Sequence, residues 1–368
     1  MLAFNWVINN IGGIKMQKYP SYISEKRRPI PTPKKLIENG KAAFGTFDKP
    51  FQTMNFLDCD KPLGKYAPSF ANKFRLTVWE AFEIMLDEGT LISAVYNVGV
   101  AGFSIFVFFD KRSKKTYSWV NPTTGPKAKV APNLIYSITE LYTTNSYLIL
   151  NNQFQNGKCH GKGKAHNRRS GDIEFDLKIT SLAPPSVVSM PLGNNQPLYS
   201  HKEFFSVEGY LKINGETFTA NKKSTAIVDD HKGFYPFKMH YDWLTTMGTT
   251  MINGKEQYLG FNLTRNQTTS QDDYNENLLW LEGYSCPLPP VVFTHTANNK
   301  WVVKDEHDMV NLVFTIEDDF QMQVHLGIVD IDYKLPFGTL TGYIKDIEGN
   351  KYVLDGMYGI GEDRTQKI

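Results

Sequence analysis

Cysteine is scarce and badly placed for crosslinking. Cys59, Cys159 and Cys286 are odd in number, far apart and never arranged as CxxC. That spacing supports neither a disulfide framework nor a zinc ribbon, and a reducing compartment is the easier expectation. Long helical periodicity is missing too, with Val78 to Leu86 the one modest candidate. No apolar run is long enough for a transmembrane helix. Leu2, Phe4, Trp6, Val7, Ile8 and Ile11 tempt a signal-peptide reading. Yet no basic n-region precedes them, Asn5, Asn9 and Asn10 interrupt them, and Met16 offers a second start. A soluble, cytosolic chain is therefore expected, with peripheral membrane contact left open. The two N-glycosylation tripeptides, Asn262-Leu263-Thr264 and Asn266-Gln267-Thr268, would matter only in a secreted chain.

Several chemistries are absent as motifs. No Gly-rich loop joins a strand to a helix, which argues against nucleotide use, and no Gly-x-Ser-x-Gly elbow occurs. His231 and His240 fall outside any recognisable ligand spacing, so no metal and no cofactor are expected. A net charge of +2 argues against a nucleic-acid partner, which would need a concentrated basic face.

What is present is β texture. Aromatics make up 13% of the 368 residues, ample for a real core. Residues 1–65 are expected as an extended arm. Its basic, proline-rich part, Lys26 to Lys35, reads either as an arm wrapping the barrel or as an anionic-surface or nuclear-localisation segment. From Phe74 onward, short β-branched and aromatic runs alternate with Gly, Asn, Lys and Pro turns. Ala101 to Phe109 is apolar on both parities, as in a strand covered on both faces. Lys158 to Arg169 alternates Gly with Lys and reads as a solvated strand edge or hairpin. A Pro/Gly/Asn-rich break at 183–198 divides the chain, giving an expected first unit at 66–198 and a second at 199–368. Closing long antiparallel sheets removes their edges. The expected fold is all-β: two antiparallel β-barrels, or strongly bent sandwiches, in tandem.

The chain's most informative stretch runs from Asp229 to Trp243. A strand over 224–228 leads into Asp229, Asp230 and His231, and Gly233 and Pro236 interrupt the ladder. A second strand starts at Lys238. By alternation Asp229 and His231 share a face and Asp230 points away; Met239, Tyr241 and Trp243 share a face opposite His240 and Asp242. This is either a polar group at an apolar cavity or a β-corner with satisfied side chains.

An Asp before a Gly-aromatic-Pro corner, followed by a Trp strand, resembles the family catalogued as domain of unknown function 2804. Tyr199-Ser200-His201-Lys202, Asn275-Glu276-Asn277-Leu278-Leu279-Trp280, Pro336 to Gly342 and Tyr358 to Glu362 resemble its further blocks, and Val78 to Glu83 resembles an early one. The likeness spans about residues 66–363. His231-Lys232 stands where the family commonly has Gly-Arg, and Thr339 where it has Arg. The family is distantly similar to tandem lipocalin-like proteins, among them carotenoid 1,2-hydratases, tocopherol cyclases and some fungal Diels–Alder cyclases. That resemblance implies a lipocalin-like barrel holding a small hydrophobic, lipid- or isoprenoid-like ligand. In the enzyme reading, Asp229 or Asp230 is a protonated acid, with His231 or Glu276 its partner, for hydration or cyclisation of an alkene. Tyr235, Tyr241, Trp243 and Asn275 would line the pocket. A carrier with the same pocket and no chemistry, and a purely structural role, are the alternatives.

Overall fold

The computed structural model describes residues 19–252, 254–326 and 329–367, so the apolar N-terminal stretch and Met16 lie outside the described residues. The fold is all-β. Among the described residues the α-helical content is one turn, Ala71–Arg75. Residues 78–86, which carry the faint helical pattern, form the strand Leu76–Met85. Both faces of that strand are covered, so its apolar residues lose the strict alternation that marks a half-exposed strand.

Two antiparallel sheets account for nearly everything. The first has 13 strands and the second 10. In the first sheet the early hairpins (76–124) join the later strands where Leu76–Met85 pairs with Thr225–Phe234. The sheet curls until the edge strand Lys115–Thr124 faces the opposite side: the Trp119 indole donates to the Gly171 carbonyl at 2.8 Å. Phe82, Phe106, Phe108, Leu150, Phe175 and Val228 fill its concave interior. Lys158–Asn167 is an internal strand rather than an edge, flanked by Ser146–Gln153 and Gly171–Ser181. Its lysines face solvent, and its glycines make room for rings. A Cβ at Gly161 would lie 2.7 Å from Phe82, and one at Gly163 would lie 2.5 Å from Phe175.

The second sheet curls around Leu244, Phe261, Leu279, Trp301, Phe314 and Leu340. The C-terminal segment is integral to it, since Tyr358–Lys367 lies between Lys238–Ile252 and Val329–Lys345. The change of sheet falls at residues 235–237, inside the Gly-aromatic-Pro corner, and not at the proline-rich break. Ser186–Pro191 is itself a strand of the first sheet, pairing with Pro197–Ile213.

The convex faces of the two sheets meet. Ile105, Val107 and Phe109 come from one side, and Trp243, Trp280, Leu335 and Phe337 from the other, in a shared apolar layer. Phe109 stacks on Phe337 with centroids 5.4 Å apart. Ala101–Asp110 is thus covered on both faces, as its sequence requires.

The N-terminal segment straps both sheets. Gly45–Phe47 pairs with Ser186–Pro191. Arg27, buried, donates to the Asn277 carbonyl at 2.8 Å and the Leu288 carbonyl at 3.1 Å, both in the second sheet's territory. Arg27→Ala would leave the Leu288 carbonyl without its Arg27 donor and the Asn277 carbonyl with only the Leu288 amide, 3.0 Å away. Stability should fall by about 1.5–3 kcal/mol, the usual range for hydrogen bonds to a charged group. Urea denaturation measures this, and an unchanged midpoint would mean that the strap contributes nothing.

Candidate functional site

Within the layer between the sheets a narrow cleft opens, with an atom-free volume of about 660 Å³, part of it open to solvent. The first sheet supplies Trp79, Ala81, Glu83, Tyr96, Lys202, Asp229 and His231, the corner after it Tyr235, and the second sheet Met239, Tyr241, Trp243, Tyr333 and Glu362. The segment following Lys255–Arg265 adds Asn266, Gln267 and Glu276. The cleft therefore lies between the half-barrels, on their convex faces, and not in the mouth of either one. The concave interiors are occupied by side chains.

Strand alternation sorts the acids. Asp229 and His231 point into the cleft. Asp230 and Lys232 point into the first half-barrel, where they form an ion pair. Their neighbour there is Glu80, which accepts from Thr139 and from Asn152 Nδ2 at 3.1 Å. Burial, reinforced by Asp230, raises the Glu80 pKa to about 8. Asp230, expected as a candidate acid, is held away from the cleft by the pleat.

Four buried ionisable groups meet on the cleft floor. Lys202 pairs with Asp229, its cross-strand partner, and lies 3.5 Å from Glu276. His231 Nε2 sits 3.1 Å from Asp229 Oδ1 and 3.2 Å from Glu276 Oε2. Ser200 donates to Glu276 at 2.5 Å. Burial opposes ionisation of every member, yet the opposite charges outweigh it. His231 is raised to about 9 against its burial, chiefly by Asp229. Asp229 and Glu276 are both held below the usual carboxylate range, with Lys202 the leading cause once burial is overcome. These shifts favour the charged form of each member, although Lys202 Nζ lies 3.1 Å from His231 Nε2 and opposes its charge.

Two further carboxyls in the cleft behave oppositely. Burial, then Asp229, drives the Glu83 pKa well above its ordinary value. Glu362 is raised as well, by burial that Arg364 and the hydroxyls of Tyr241 and Tyr333 only partly offset. Stacked rings cross the first sheet beside these acids. His231 lies on Trp79 (4.8 Å between centroids, 4° between planes), Trp79 on Tyr96 (5.4 Å), and Tyr96 on Phe103 (4.8 Å). Each pair consists of direct cross-strand partners.

Of the expected residues, Asp229, His231, Glu276, Tyr235, Tyr241 and Trp243 converge here. Asn275 does not line the cleft. Its side chain braces the turn, donating to the Gln271 carbonyl at 2.7 Å and accepting from the Asn277 amide at 2.9 Å. Asn262 is also structural, accepting from the Trp243 indole at 2.6 Å and donating to the Glu276 carbonyl at 3.0 Å. Sequence reasoning assigned no role to Lys202, Glu83, Glu362, Tyr96 or Tyr333. Lys202 and the two glutamates lie in blocks that carry the family resemblance, and their strand parity was the available clue.

A family model described as domain of unknown function (DUF2804) matches residues 27–368. The chain belongs to the DUF2804 family. No curated protein matches it. Among solved structures, kievitone hydratase from Nectria haematococca is similar at 12% identity with a TM-score of 0.45, covering 88% of this chain and 97% of its own. CghA is similar at 8% identity with a TM-score of 0.42, covering 84% of this chain and 95% of its own.

The raised His231 pKa has a stability consequence of definite sign. Its contribution is complete below the unfolded-state value near 6.5 and is lost as pH rises through about 9. The loss should be on the order of 3 kcal/mol for a shift of this size. Glu80 acts with the same sign between its ordinary value and about 8, and is common to wild type and variant. Urea denaturation at pH 6.5 and pH 9.5 should therefore show a smaller pH loss in His231→Gln than in wild type. Equal losses would put the imidazole outside the ionised quartet.

Proposed function

We propose that the inter-sheet cleft binds a small, largely hydrophobic molecule and transfers a proton to it without a cofactor, giving hydration or cyclisation. The observation that carries this reading is the division of four cleft carboxyls into two kinds. Asp229 and Glu276 are ionised beside Lys202 and His231, while Glu83 and Glu362 are held toward the protonated form. Environments that push like groups apart in pKa are how one site supplies acid and base together.

Glu362 is the better candidate acid, because it is only partly buried while Glu83 is sealed. Its carboxyl proton would add to an alkene carbon, leaving a cation on the adjacent carbon and a carboxylate on Glu362. Water capture followed by return of a proton to Glu362 completes hydration. Capture by a second double bond or hydroxyl of the same molecule, followed by proton loss to Glu362, completes cyclisation. Trp79, Tyr96, Tyr241 and Trp243 offer ring faces to the intermediate charge. Asp229, first expected as the acid, fits the role of a fixed anion better, since Lys202 keeps it deprotonated.

The carrier reading shares the cleft and differs only in turnover. One observation favours it: the ionised quartet is internally neutralised, which leaves no unpaired charge demanding a reactive partner.

Titration with the hydrophobic fluorophore bis-ANS should show one saturable site in wild type. Leu192→Trp, which places bulk in the cleft lining, should weaken it at least tenfold with an unchanged circular dichroism spectrum. Native mass spectrometry of protein purified from its source, followed by incubation of the released ligand with fresh enzyme, tests turnover. Glu362→Gln should retain binding and lose conversion by a factor of about 10² or more, the usual share of a general acid. Unaltered bis-ANS binding in Leu192→Trp would move the ligand elsewhere. Binding without conversion in wild type would leave the carrier.

A further inference from the structure

A second convergence of ionisable side chains lies outside the cleft, on the concave side of the second sheet. His240 and Asp242 project from Lys238–Ile252 on the same parity as the core residue Leu244. Asp363, on Tyr358–Lys367, shares the parity of Gly361 two residues before it, whose added Cβ would lie 2.5 Å from the Trp301 ring. His295 belongs to Val292–Thr296, the edge strand at the far end of the sheet. It stacks on its cross-strand partner Trp301 at 4.5 Å and 4°, and curling brings it beside Asp242 and Asp363 on the middle strands.

His240, Asp242 and Asp363 each present a ligand atom, all within 4.8 Å of one another. His295 stands beside this group, its Nε2 3.0 Å from Asp242 Oδ1 and its Nδ1 3.6 Å from Asp363 Oδ2. His240 lies 3.4 Å from Asp242 Oδ2 and 3.7 Å from Asp363 Oδ1. Four nitrogen and oxygen ligands 2.0–2.2 Å from a tetrahedral ion would be about 3.3–3.6 Å apart. The observed contacts are of that size but use both nitrogens of each imidazole and both oxygens of each carboxylate, so each ring would turn to present a single nitrogen to an ion. Asp242 is only 7% exposed. Its buried Oδ1 accepts no hydrogen bond of good geometry, although His295 stands beside it. Two cations share this face of the sheet. Lys334 is the cross-strand partner of Asp363 but engages Asp319 at 3.1 Å, and Arg265 is the partner of Asp242.

We propose that His240, Asp242 and Asp363, with His295 turned to offer one nitrogen, form a binding site for one divalent first-row transition-metal ion. Imidazole with carboxylate is the donor set such ions take, zinc above all, whereas magnesium and calcium prefer all-oxygen shells. The ion's effect would be mechanical. It would tie the edge strand to the two central strands and so close the mouth of the second half-barrel. The proposal departs from the expectation of no metal, which looked for ligands close in sequence; here they come from three separate strands.

The test uses the full chain, stripped with EDTA and dialysed, then titrated with ZnCl₂ by calorimetry and assayed for retained metal by mass spectrometry. One equivalent should bind with micromolar or tighter affinity and raise the melting temperature by several degrees, and millimolar Mg²⁺ or Ca²⁺ should not compete. Asp242→Asn, His295→Gln and His240→Ala should each weaken zinc at least tenfold, with circular dichroism confirming the fold. His240 is half-exposed, so His240→Ala keeps the test valid if a more buried variant fails to fold. His166→Gln, which removes an exposed His–Asp pair, should bind zinc as wild type does. Absence of stoichiometric zinc in wild type, or unweakened binding in folded His240→Ala, would reduce the cluster to imidazolium–carboxylate pairs and overturn the proposal.

Discussion

Four charges taken out of water in one place set the terms for the whole molecule. Isolated, each ion of the Lys202, Asp229, His231 and Glu276 quartet would cost several kcal/mol to bury. Together they compensate, and the compensation requires both sheets: three members stand on the first, and the fourth arrives on a turn leading into the second. Removing one partner strands the others, so the sheets cannot separate without leaving uncompensated charge. The apolar layer around the quartet supplies the bulk of the adhesion, and the quartet supplies the registration between the two faces.

Everything that presents Glu276 follows from this. Asn275 and Asn277 fold the turn, Asn262 holds its backbone from the side, and Arg27 reaches in from the N-terminal strap to hold the Asn277 carbonyl. These side chains satisfy backbone groups that an irregular buried segment would otherwise leave without partners. A cleft with a fixed floor and ring-lined walls results, and the proton chemistry proposed for it needs that rigidity, because a misplaced carboxyl loses most of its value.

The parity of Thr225–Phe234 and of the strand after it could be read directly from residues 229–243, and the structure places Asp229, His231, Tyr241 and Trp243 as that alternation requires. Double coverage of Ala101–Asp110 was equally legible. The location of the cleft was not. Alternation assigns two faces to a strand without saying which is concave, and when both are apolar, hydrophobicity does not choose. For the same reason the acids could not be ranked. Glu83 and Glu362 are set apart from Glu276 because Lys202 and Arg364, respectively, offset their burial only in part, a tertiary fact. The division of the chain was obscured because Pro184, Pro185 and Pro191 lie around an ordered strand, while the true crossing needs only Pro236 and its neighbours.

The pairing of Leu76–Met85 with Thr225–Phe234 bears on how the chain folds as well as on where it folds. Hairpins over residues 76–124 and 137–181 can form from local contacts, but the seam joining them waits for a strand made much later. Loop closure over such a span is entropically slow, and sheets with non-local pairing fold late for that reason. Until Thr225–Phe234 is laid down, Leu76–Met85 exposes an open edge carrying Glu80 and Glu83. Charged side chains on an unpaired edge discourage association with other chains. The acids whose charge burial disfavours in the finished molecule would, in the nascent one, be ionised and solvated, keeping that edge apart from its neighbours during synthesis.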